Sequence, residues 1–256
     1  ARRRPDHPAL ACDGVRHTWR ELDEAASRLA GLLAARGVRR GDRVALFLDN
    51  GIEMAAGIFA ALKAGAVFMP VNPLTKRDKL AYLLRDARAV ALVTHEALAR
   101  VWRGPVDESP SVHTVVVAGR TGEAPPDARL ADYPRADAPA GGREGATIDQ
   151  DLAAIIYTSG STGDAKGVML SHLNMVSAAR SVSTYLGLRE DDVIACVLPL
   201  AFDYGLYQLL MAARVGACVV LERSFAFPER ILETMARERV TVLPGVPTVF
   251  ALLMAH

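Results

Sequence analysis

The sequence contains few cysteines, and their spacing does not suit a cross-linked or metal-bound fold. Cys12, Cys196 and Cys218 are odd in number and show no C-x-x-C spacing, which argues against a disulfide framework or a zinc site. The six histidines are scattered and predict no metal cluster. The sequence shows no signal peptide, no heptad repeat and no apolar run of about 20 residues, which a membrane span requires. We therefore expect a cytoplasmic protein.

Neither sign of charge is in excess, because 30 basic residues stand against 29 acidic ones and give a net charge of +1. This balance predicts no binding to nucleic acid or to an anionic membrane, since both require a basic surface. Lysine is scarce: there are four lysines, Lys63, Lys76, Lys79 and Lys166, against 26 arginines. Apolar residues make up 51% of the 256, which is enough for the core of one large domain or two small ones.

One stretch has the clearest chemical pattern. The apolar run Ala153–Tyr157 predicts a buried strand, and Thr158–Gly167 follows it with three glycines, four hydroxyls and one lysine. Glycines let the backbone approach a ligand closely, and successive N–H groups form a cradle for phosphate oxygens. Lys166 adds a compact positive charge suited to the outer phosphates of a nucleotide. The candidate phosphate-binding residues are Thr158, Ser159, Gly160, Ser161, Thr162, Gly163, Lys166 and Gly167. Their hydroxyls, that of Thr162 in particular, are candidate contacts of Mg²⁺.

The residues of this stretch exclude two common phosphate-binding motifs. A Walker loop requires glycine before the lysine and serine or threonine after it, whereas Ala165 precedes Lys166 and Gly167 follows it. The dinucleotide fingerprint G-x-G-x-x-G fails because Gly160 and Gly163 have the wrong spacing. A surface linker rich in serine and glycine is the remaining alternative, although a linker rarely follows a buried strand directly.

The sequence YTSGSTGDAKGV, residues 157–168, resembles the phosphate-loop signature of the AMP-forming adenylating enzymes: acyl-CoA synthetases, carrier-protein-loading adenylation domains and luciferases. The usual signature has proline where this chain has Ala165, so we expect a slightly looser loop that keeps every ligand-binding group. The resemblance implies ATP and Mg²⁺ as ligands and a small carboxylic acid as substrate. It also implies CoA or phosphopantetheine, the latter on an acyl carrier protein, as acyl acceptor. Lys166 would then act in catalysis by steadying the departing pyrophosphate.

Strand and helix patterns alternate along the rest of the chain, which predicts βαβ units and an α/β fold. The predicted strands are Val44–Leu48, Val67–Pro70, Ala91–Thr94, Thr114–Val117, Ala153–Tyr157, Val193–Leu198, Ala217–Leu221 and Val240–Leu243. The predicted helices run from a capping box at Thr18 to Gly37, over Ile52–Lys63 after a turn at Asn50-Gly51, over Lys76–Ala87 and Glu96–Trp102, from an N-cap at Ser171 to Leu186, over Phe202–Met211 and Pro228–Glu238, and onward from Pro247. The resemblance implies a layered αβαβα arrangement of mainly parallel sheets flanked by helices.

The chain divides by composition into three segments. Residues 1–117 form a first α/β half, residues 118–150 form a surface connection without periodicity, and residues 151–256 form a half with the phosphate loop and an acid pocket. The resemblance covers nearly the whole chain but only about the first half of the family's length. The family's downstream Thr-Glu motif, ribose-binding aspartate, hinge and C-terminal domain with a second catalytic lysine are not found. We therefore expect a partial N-terminal adenylation domain, inactive in isolation.

One predicted helix begins at the carboxyl end of a strand, where α/β folds bind ligands. From the local pattern alone, Asp203 is equally well explained as a helix cap, and Tyr204 and Tyr207 as core residues. The resemblance places these three residues in the acid pocket, and it places Gly245 and Pro247 near the acid and nucleotide sites. Aspartate at position 203 is typical of amino-acid-adenylating domains, where it pairs with the substrate ammonium, whereas acyl-CoA ligases often have histidine there. Both substrate classes therefore stay open.

Three functions follow for the full-length protein. The first is an AMP-forming acid–thiol ligase of the acyl-CoA synthetase type, which activates a carboxylic acid as an acyl-adenylate. The second is an amino-acid-adenylating enzyme that loads a carrier protein. The third belongs to a different class, a non-catalytic nucleotide-binding module, which loss of the downstream catalytic positions would favour.

Overall fold

The computed structural model describes residues 3–120, 127–139, 141, 147–158, 165–223 and 225–255. The chain forms two compact units, and neither is continuous in sequence. The first unit consists of Ala1–Asp23, Asp49–Ala55 and Val176–His256. The second unit consists of Glu24–Leu48 and Ala56–Met175.

Strands and helices alternate along most of the chain, as the sequence pattern predicts. The strands are β1 (Pro8–Cys12), β2 (Val15–Thr18), β3 (Arg43–Phe47), β4 (Val67–Val71), β5 (Ala89–His95), β6 (Thr114–Ala118), β7 (Leu130–Asp132), β8 (Leu152–Thr158), β9 (Lys166–Ser171), β10 (Val193–Cys196) and β11 (Cys218–Leu221). The helices are α1 (Trp19–Ala35), α2 (Ile52–Lys63), α3 (Arg77–Asp86), α4 (Ala99–Asp107), α5 (His172–Tyr185), α6 (Asp203–Val215), α7 (Pro228–Glu238) and α8 (Pro247–Met254), with a 3₁₀ turn at Glu96–Leu98 before α4.

The second unit is built on a seven-stranded sheet in the order β7-β6-β5-β3-β4-β8-β9. All neighbouring strands in it are parallel except β8 and β9, which are antiparallel. Side chains from α3 and α4, among them Leu80, Leu84 and Trp102, pack with Phe47 and Val115 of the sheet in one buried apolar cluster. The predicted βαβ unit is confirmed, because β3 and β4 pair in parallel on either side of α2.

The first unit is built on a four-stranded sheet in the order β10-β11-β1-β2. The pairs β10–β11 and β11–β1 are parallel, and β1 with β2 forms an antiparallel hairpin. A smaller apolar cluster around Val197, Ile231 and Val249 lies beside the segments that follow β10 and precede α8. The prediction of a mixed α/β fold with mainly parallel sheets and flanking helices is therefore confirmed.

The cap patterns locate several helix ends correctly. At the start of α1 the Glu21 carboxylate accepts hydrogen bonds from the backbone N–H of Thr18 at 2.7 Å and from its hydroxyl at 3.1 Å. The Thr18 hydroxyl in turn accepts from the backbone N–H of Glu21 at 3.2 Å, which completes the predicted capping box. Before α5 the Ser171 hydroxyl accepts from the backbone N–H of Asn174 at 3.2 Å, as expected of an N-cap.

Four strands of the structure were not predicted, and one predicted strand does not form. The hairpin β1–β2 and the strand β9 have no counterpart in the predicted pattern, and β7 lies inside residues 118–150, which were expected to form a connection without regular structure. The predicted strand Val240–Leu243 is a single parallel bridge between Val242 and Ile194. For the unpredicted strands, pairing with another strand decides the conformation: β1 with β11 and β2, β7 with β6, and β9 with β8.

The structure also divides differently from the predicted boundary at residue 150. Strand β8 pairs in parallel with β4, with Ala154 opposite Phe68, so it belongs to the seven-stranded sheet. Because β9 pairs with β8, the phosphate-binding candidates lie in the unit that contains β3–β7. The acid-pocket candidates, Asp203 among them, lie in the other unit.

Candidate functional site

The described phosphate-binding candidates, Thr158, Lys166 and Gly167, lie on the antiparallel strands β8 and β9, and we call β8, β9 and the intervening residues 159–165 the phosphate hairpin. Thr158, the last residue of β8, lies opposite Lys166, the first residue of β9, and Tyr157 lies opposite Gly167. The Thr158 hydroxyl is 3.5 Å from the carbonyl oxygen of Lys166. The two strands therefore hold the ends of the segment 159–165 beside each other.

Five of the predicted phosphate-binding residues lie outside the described residues. They are Ser159, Gly160, Ser161, Thr162 and Gly163. The predicted contact of Thr162 with Mg²⁺ is among them. The roles of these residues stay predictions.

Lys166 is the first residue of β9 and is exposed. The ion pairs between described residues include none from Lys166, so within that part of the chain its ammonium group faces no carboxylate. A cation held by a strand at the end of a glycine-rich loop is suited to meet an anionic ligand. At the next residue, Gly167, close packing also favours glycine. A Cβ atom there would lie 2.7 Å from Cγ2 of Ile155 and 3.3 Å from Cζ of Tyr157.

Two tyrosine hydroxyls hold the base of the phosphate hairpin. The Tyr157 hydroxyl donates a short hydrogen bond to the Asp86 carboxylate at the end of α3. Burial raises the pKa of Tyr157, and the hydrogen bond to Asp86 raises it further. The Tyr82 hydroxyl on α3 donates to the carbonyl oxygen of Ala165 at 3.0 Å. Helix α3 is thereby tied to the residue directly before Lys166.

The acid-pocket candidates lie around the first turn of α6. Phe202 occupies the N-cap position without a side-chain hydrogen bond, and Asp203 is exposed at the first helical position. Its carboxylate accepts a hydrogen bond from the backbone N–H of Tyr204 at 2.7 Å. A carboxylate there also suits the positive end of the helix dipole. The described residues place no arginine or lysine in an ion pair with Asp203.

The structure brings the remaining candidates of this unit near the same helix. The hydroxyl of Tyr204 is 3.5 Å from the carbonyl oxygen of Gly245. Pro247 is the first residue of α8, as expected for proline in a first helical turn. Tyr207 lies one turn along α6 and is half-buried. Burial raises the pKa of Tyr207, and the negative charge of Asp203 adds to the effect.

The first turn of α6 packs tightly on the segment Leu198–Ala201, which we call the Pro199 turn. Within it the backbone N–H of Phe202 donates to the carbonyl oxygen of Pro199 at 3.0 Å. A Cβ atom at Gly205 would overlap that carbonyl oxygen and would lie 2.8 Å from the carbonyl oxygen of Leu198. Glycine is therefore required at position 205 by the close approach of the helix to the turn.

A buried asparagine that the sequence pattern marks only as part of a turn holds the Pro199 turn from the other side. The side-chain amide of Asn50 donates to the carbonyl oxygen of Leu198 at 3.1 Å and to that of Glu222 at 2.9 Å. Its carbonyl oxygen accepts from the backbone N–H of Leu200 at 2.8 Å. Asn50 is only 7% exposed. Its partners lie 148 to 172 residues away in the chain, so no local signal could have identified it.

Two broader features of the described residues bear on function. Nowhere in the described ranges do three or more His, Cys, Asp or Glu side chains form a group that could hold a metal ion. Within the same ranges, no helix combines the length and the apolar character needed to cross a membrane.

Comparison with known proteins identifies sequence and structural relatives of this chain. A family model described as AMP-binding enzyme matches residues 1–256. Phosphinothricin tripeptide synthetase PhsC of Streptomyces viridochromogenes is 39% identical over 241 residues, which are 93% of this chain and 21% of that protein. ATP-bound MatB from Rhodopseudomonas palustris is 29% identical with a TM-score of 0.83, over 98% of this chain and 48% of that one. The anthranilate CoA ligase AuaEII in complex with anthranoyl-AMP is 27% identical with a TM-score of 0.84, over 97% of this chain and 48% of that one. The chain thus spans about a fifth of the synthetase and about half of each of the two solved chains.

Proposed function

Because this chain belongs to the family of AMP-binding enzymes, we propose that the full-length protein is an AMP-forming acid–thiol ligase. A carboxylate oxygen of the substrate attacks the α-phosphorus of ATP, and the bond to pyrophosphate breaks, which gives an acyl-adenylate. A thiol then attacks the acyl carbon, and AMP leaves with the oxygen that joined it to the acyl group. CoA and the phosphopantetheine of an acyl carrier protein are the two candidate thiols, and the cytoplasm supplies both.

The observation that carries this proposal is the arrangement of the phosphate hairpin. Lys166 is exposed at one end of the loop, faces no carboxylate among the described residues, and lies opposite Thr158 at the other end. The loop between them has the glycines and hydroxyls of a phosphate cradle. The hydrogen bonds of Tyr82 and Tyr157 join both strand ends to α3. The backbone at Thr158 and Lys166 is therefore preorganised before ATP binds.

The chain's own residues contribute positioning and charge. Thr158, the loop and Lys166 hold the β- and γ-phosphates, and Lys166 neutralises negative charge on pyrophosphate as it departs. The Thr162 hydroxyl is the predicted contact of Mg²⁺, which would supply further positive charge at the phosphates of ATP. The acid pocket is shaped by Asp203, Tyr204 and Tyr207. Gly245 and Pro247 lie near the acid and nucleotide sites.

A second candidate within this class is an enzyme that activates an amino acid. The observation that favours it is Asp203, an exposed carboxylate without an arginine or lysine partner among the described residues. Such a carboxylate is free to pair with the ammonium group of an amino acid. The 39% identity to a tripeptide synthetase points the same way. The anthranilate CoA ligase points instead to an acid without an α-ammonium group as substrate and to CoA as acceptor.

ATP–pyrophosphate exchange on the full-length protein, measured with fatty, aryl and amino acids in turn, tests this proposal. We expect exchange stimulated by one of these classes. Stimulation by amino acids, and not by their deaminated counterparts, identifies the amino-acid-activating form. ATP binding without exchange for any acid would overturn the ligase and leave the non-catalytic nucleotide-binding module.

A further inference from the structure

We propose that Asn50 is a positioning residue for the acid-binding segment at the start of α6. The inference rests on the proposed function, since the acid pocket is its endpoint. The hydrogen bonds of the Asn50 side chain to described residues join it to Leu198, Leu200 and Glu222, so it acts on Asp203 and Tyr204 through the Pro199 turn.

The hydrogen bonds of Asn50 specify an amide and no other side chain. Both amide protons donate to carbonyl oxygens, those of Leu198 and Glu222, and the amide oxygen accepts from the N–H of Leu200. Turning the amide over would place its oxygen against two carbonyl oxygens, so the orientation is unambiguous. A carboxylate would create the same repulsion, and an apolar side chain would leave three backbone groups without partners.

The three bonds join segments that follow two neighbouring parallel strands. Leu198 and Leu200 follow β10, and Glu222 directly follows β11. Asn50 thus sets the position of the Pro199 turn relative to the end of β11. It does so at the carboxyl edge of the sheet, where α/β folds place their ligands.

Helix α6 packs so tightly on the Pro199 turn that the two must move together. Gly205 lies so close to the carbonyl oxygens of Leu198 and Pro199 that it leaves no room for a Cβ atom. The Cys196 thiol approaches the carbonyl oxygens of Leu198 at 3.4 Å and of Gly205 at 3.6 Å, which places the turn and the helix against one side chain. A shift of the turn therefore moves the first turn of α6, and with it Asp203 and Tyr204.

The test compares Asn50→Asp with Asn174→Asp in the full-length protein. At position 50 the change replaces two donated hydrogen bonds by repulsion. At position 174 it keeps the interaction, because the Asn174 side-chain oxygen only accepts, from the backbone N–H and hydroxyl of Ser171. Asn50→Ser is a second variant, which removes the amide but leaves space for water at the freed carbonyl groups and is expected to fold even if Asn50→Asp does not.

Two readouts are needed. In pyrophosphate exchange we expect both Asn50 variants to raise the KM for the acid by about tenfold or more while the KM for ATP stays within about twofold, and Asn174→Asp to change neither. In hydrogen–deuterium exchange we expect faster uptake in the peptide covering residues 198–208, with the peptide covering β3 unchanged.

Three outcomes overturn the inference. Unchanged uptake over residues 198–208 in the Asn50 variants refutes the positioning role, whether or not the wild-type protein turns over any acid. Faster uptake there with an unchanged acid KM refutes the link from the turn to the acid pocket. Equal rises in the KM values for acid and ATP show a general structural role instead. Failure of the proposed function appears separately, as absence of exchange in the wild-type protein.

Discussion

The hydroxyl of Tyr82 donates a hydrogen bond of 3.0 Å to the carbonyl oxygen of Ala165, the residue before Lys166. Ala165 is also the position at which this chain departs from the usual phosphate-loop signature, where proline restricts the backbone. A hydrogen bond from α3 therefore restrains the position that lacks proline. The hydrogen bond and a proline would both restrain residue 165, so their effects should depend on each other.

We predict that Tyr82→Phe weakens ATP use and that Ala165→Pro largely restores it. A net hydrogen bond contributes about 1 kcal/mol, so Tyr82→Phe should raise the KM for ATP about fivefold in pyrophosphate exchange. In the Ala165→Pro background the same change should cost less than about twofold, because proline already fixes φ. Tyr185→Phe is the matched control, since Tyr185 is 88% exposed. Equal effects of Tyr82→Phe in both backgrounds would refute the coupling.

The Lys166 ammonium group provides the second prediction. A hydrogen bond to a charged group contributes about 1.5–3 kcal/mol, so Lys166→Ala should slow pyrophosphate exchange by about 10- to 100-fold. Lys166→Arg should recover part of the rate, because it keeps the charge with a different shape.

The control for Lys166 is Lys79→Ala, which removes an exposed lysine from α3. Exchange at the wild-type rate is expected for this control. If Lys166→Ala also exchanges at the wild-type rate, Lys166 does not belong to the phosphate-binding site.

The third prediction concerns Asp203 and separates the two substrate classes. If the acid is an amino acid, Asp203→Asn should abolish its activation, because a buried or partly desolvated ammonium group loses its counter-charge. The measurement is pyrophosphate exchange with an amino acid and with the corresponding deaminated acid. Asp191→Asn, at an exposed position before β10, serves as control.

If the protein activates acids without an ammonium group, the expected effect of Asp203→Asn on pyrophosphate exchange is the opposite. Asp203→Asn should then retain exchange, and plain acids should be used at least as well as amino acids. Use of both acid types with equal efficiency would exclude a role of Asp203 in pairing with ammonium.

The fourth prediction is a pH dependence of stability. The Glu238 side chain is 8% exposed and pairs with Arg16 at 2.7 Å and with Arg237 at 3.0 Å. Burial alone would raise the pKa of Glu238, but the hydrogen bonds and charges of the two arginines outweigh it and lower the pKa. A pKa that is lower in the folded state contributes stability that is present above the unfolded pKa and is lost as the pH falls through the folded pKa.

We therefore expect Glu238→Gln to reduce the free energy of unfolding at pH 7 by about 1–3 kcal/mol. The difference from wild type should shrink below about pH 4.5, where the unfolded carboxylate also takes up a proton. Urea unfolding at pH 7, 5, 4 and 3 measures this difference in the free energy of unfolding. Glu190→Gln, at an exposed pair with Arg4, should change stability by less than about 0.5 kcal/mol at every pH. A gap for Glu238→Gln that grows toward acid pH would contradict the assignment.

Local sequence signals locate most helices and most of the buried strands of this chain. The helices over Ile52–Lys63 and Pro228–Glu238 match the structure to the residue, because periodicity and terminal residues determine them. Strand β9 is different. Its first four residues, Lys166–Met169, are exposed at the edge of the sheet and show no alternation, and pairing with β8 alone makes them a strand.

The candidate site shows the same division. The glycines, hydroxyls and lysine of the phosphate hairpin form a contiguous pattern and could be read directly. Asn50 and Tyr82 could not, since Asn50 acts on backbone groups 148 to 172 residues away and Tyr82 on one 83 residues away. Contacts at such separations leave no trace in composition or periodicity.

The most direct test of the central claim uses a carboxylic acid labelled with oxygen-18 in its carboxylate, supplied to the full-length protein with ATP and the acceptor thiol. The acid is the one that stimulates pyrophosphate exchange. Because a carboxylate oxygen attacks the α-phosphorus and stays with it when the thiol takes the acyl group, mass spectrometry should find one oxygen-18 in AMP and none in pyrophosphate. Label in inorganic phosphate, or unlabelled AMP, would contradict an acyl-adenylate intermediate.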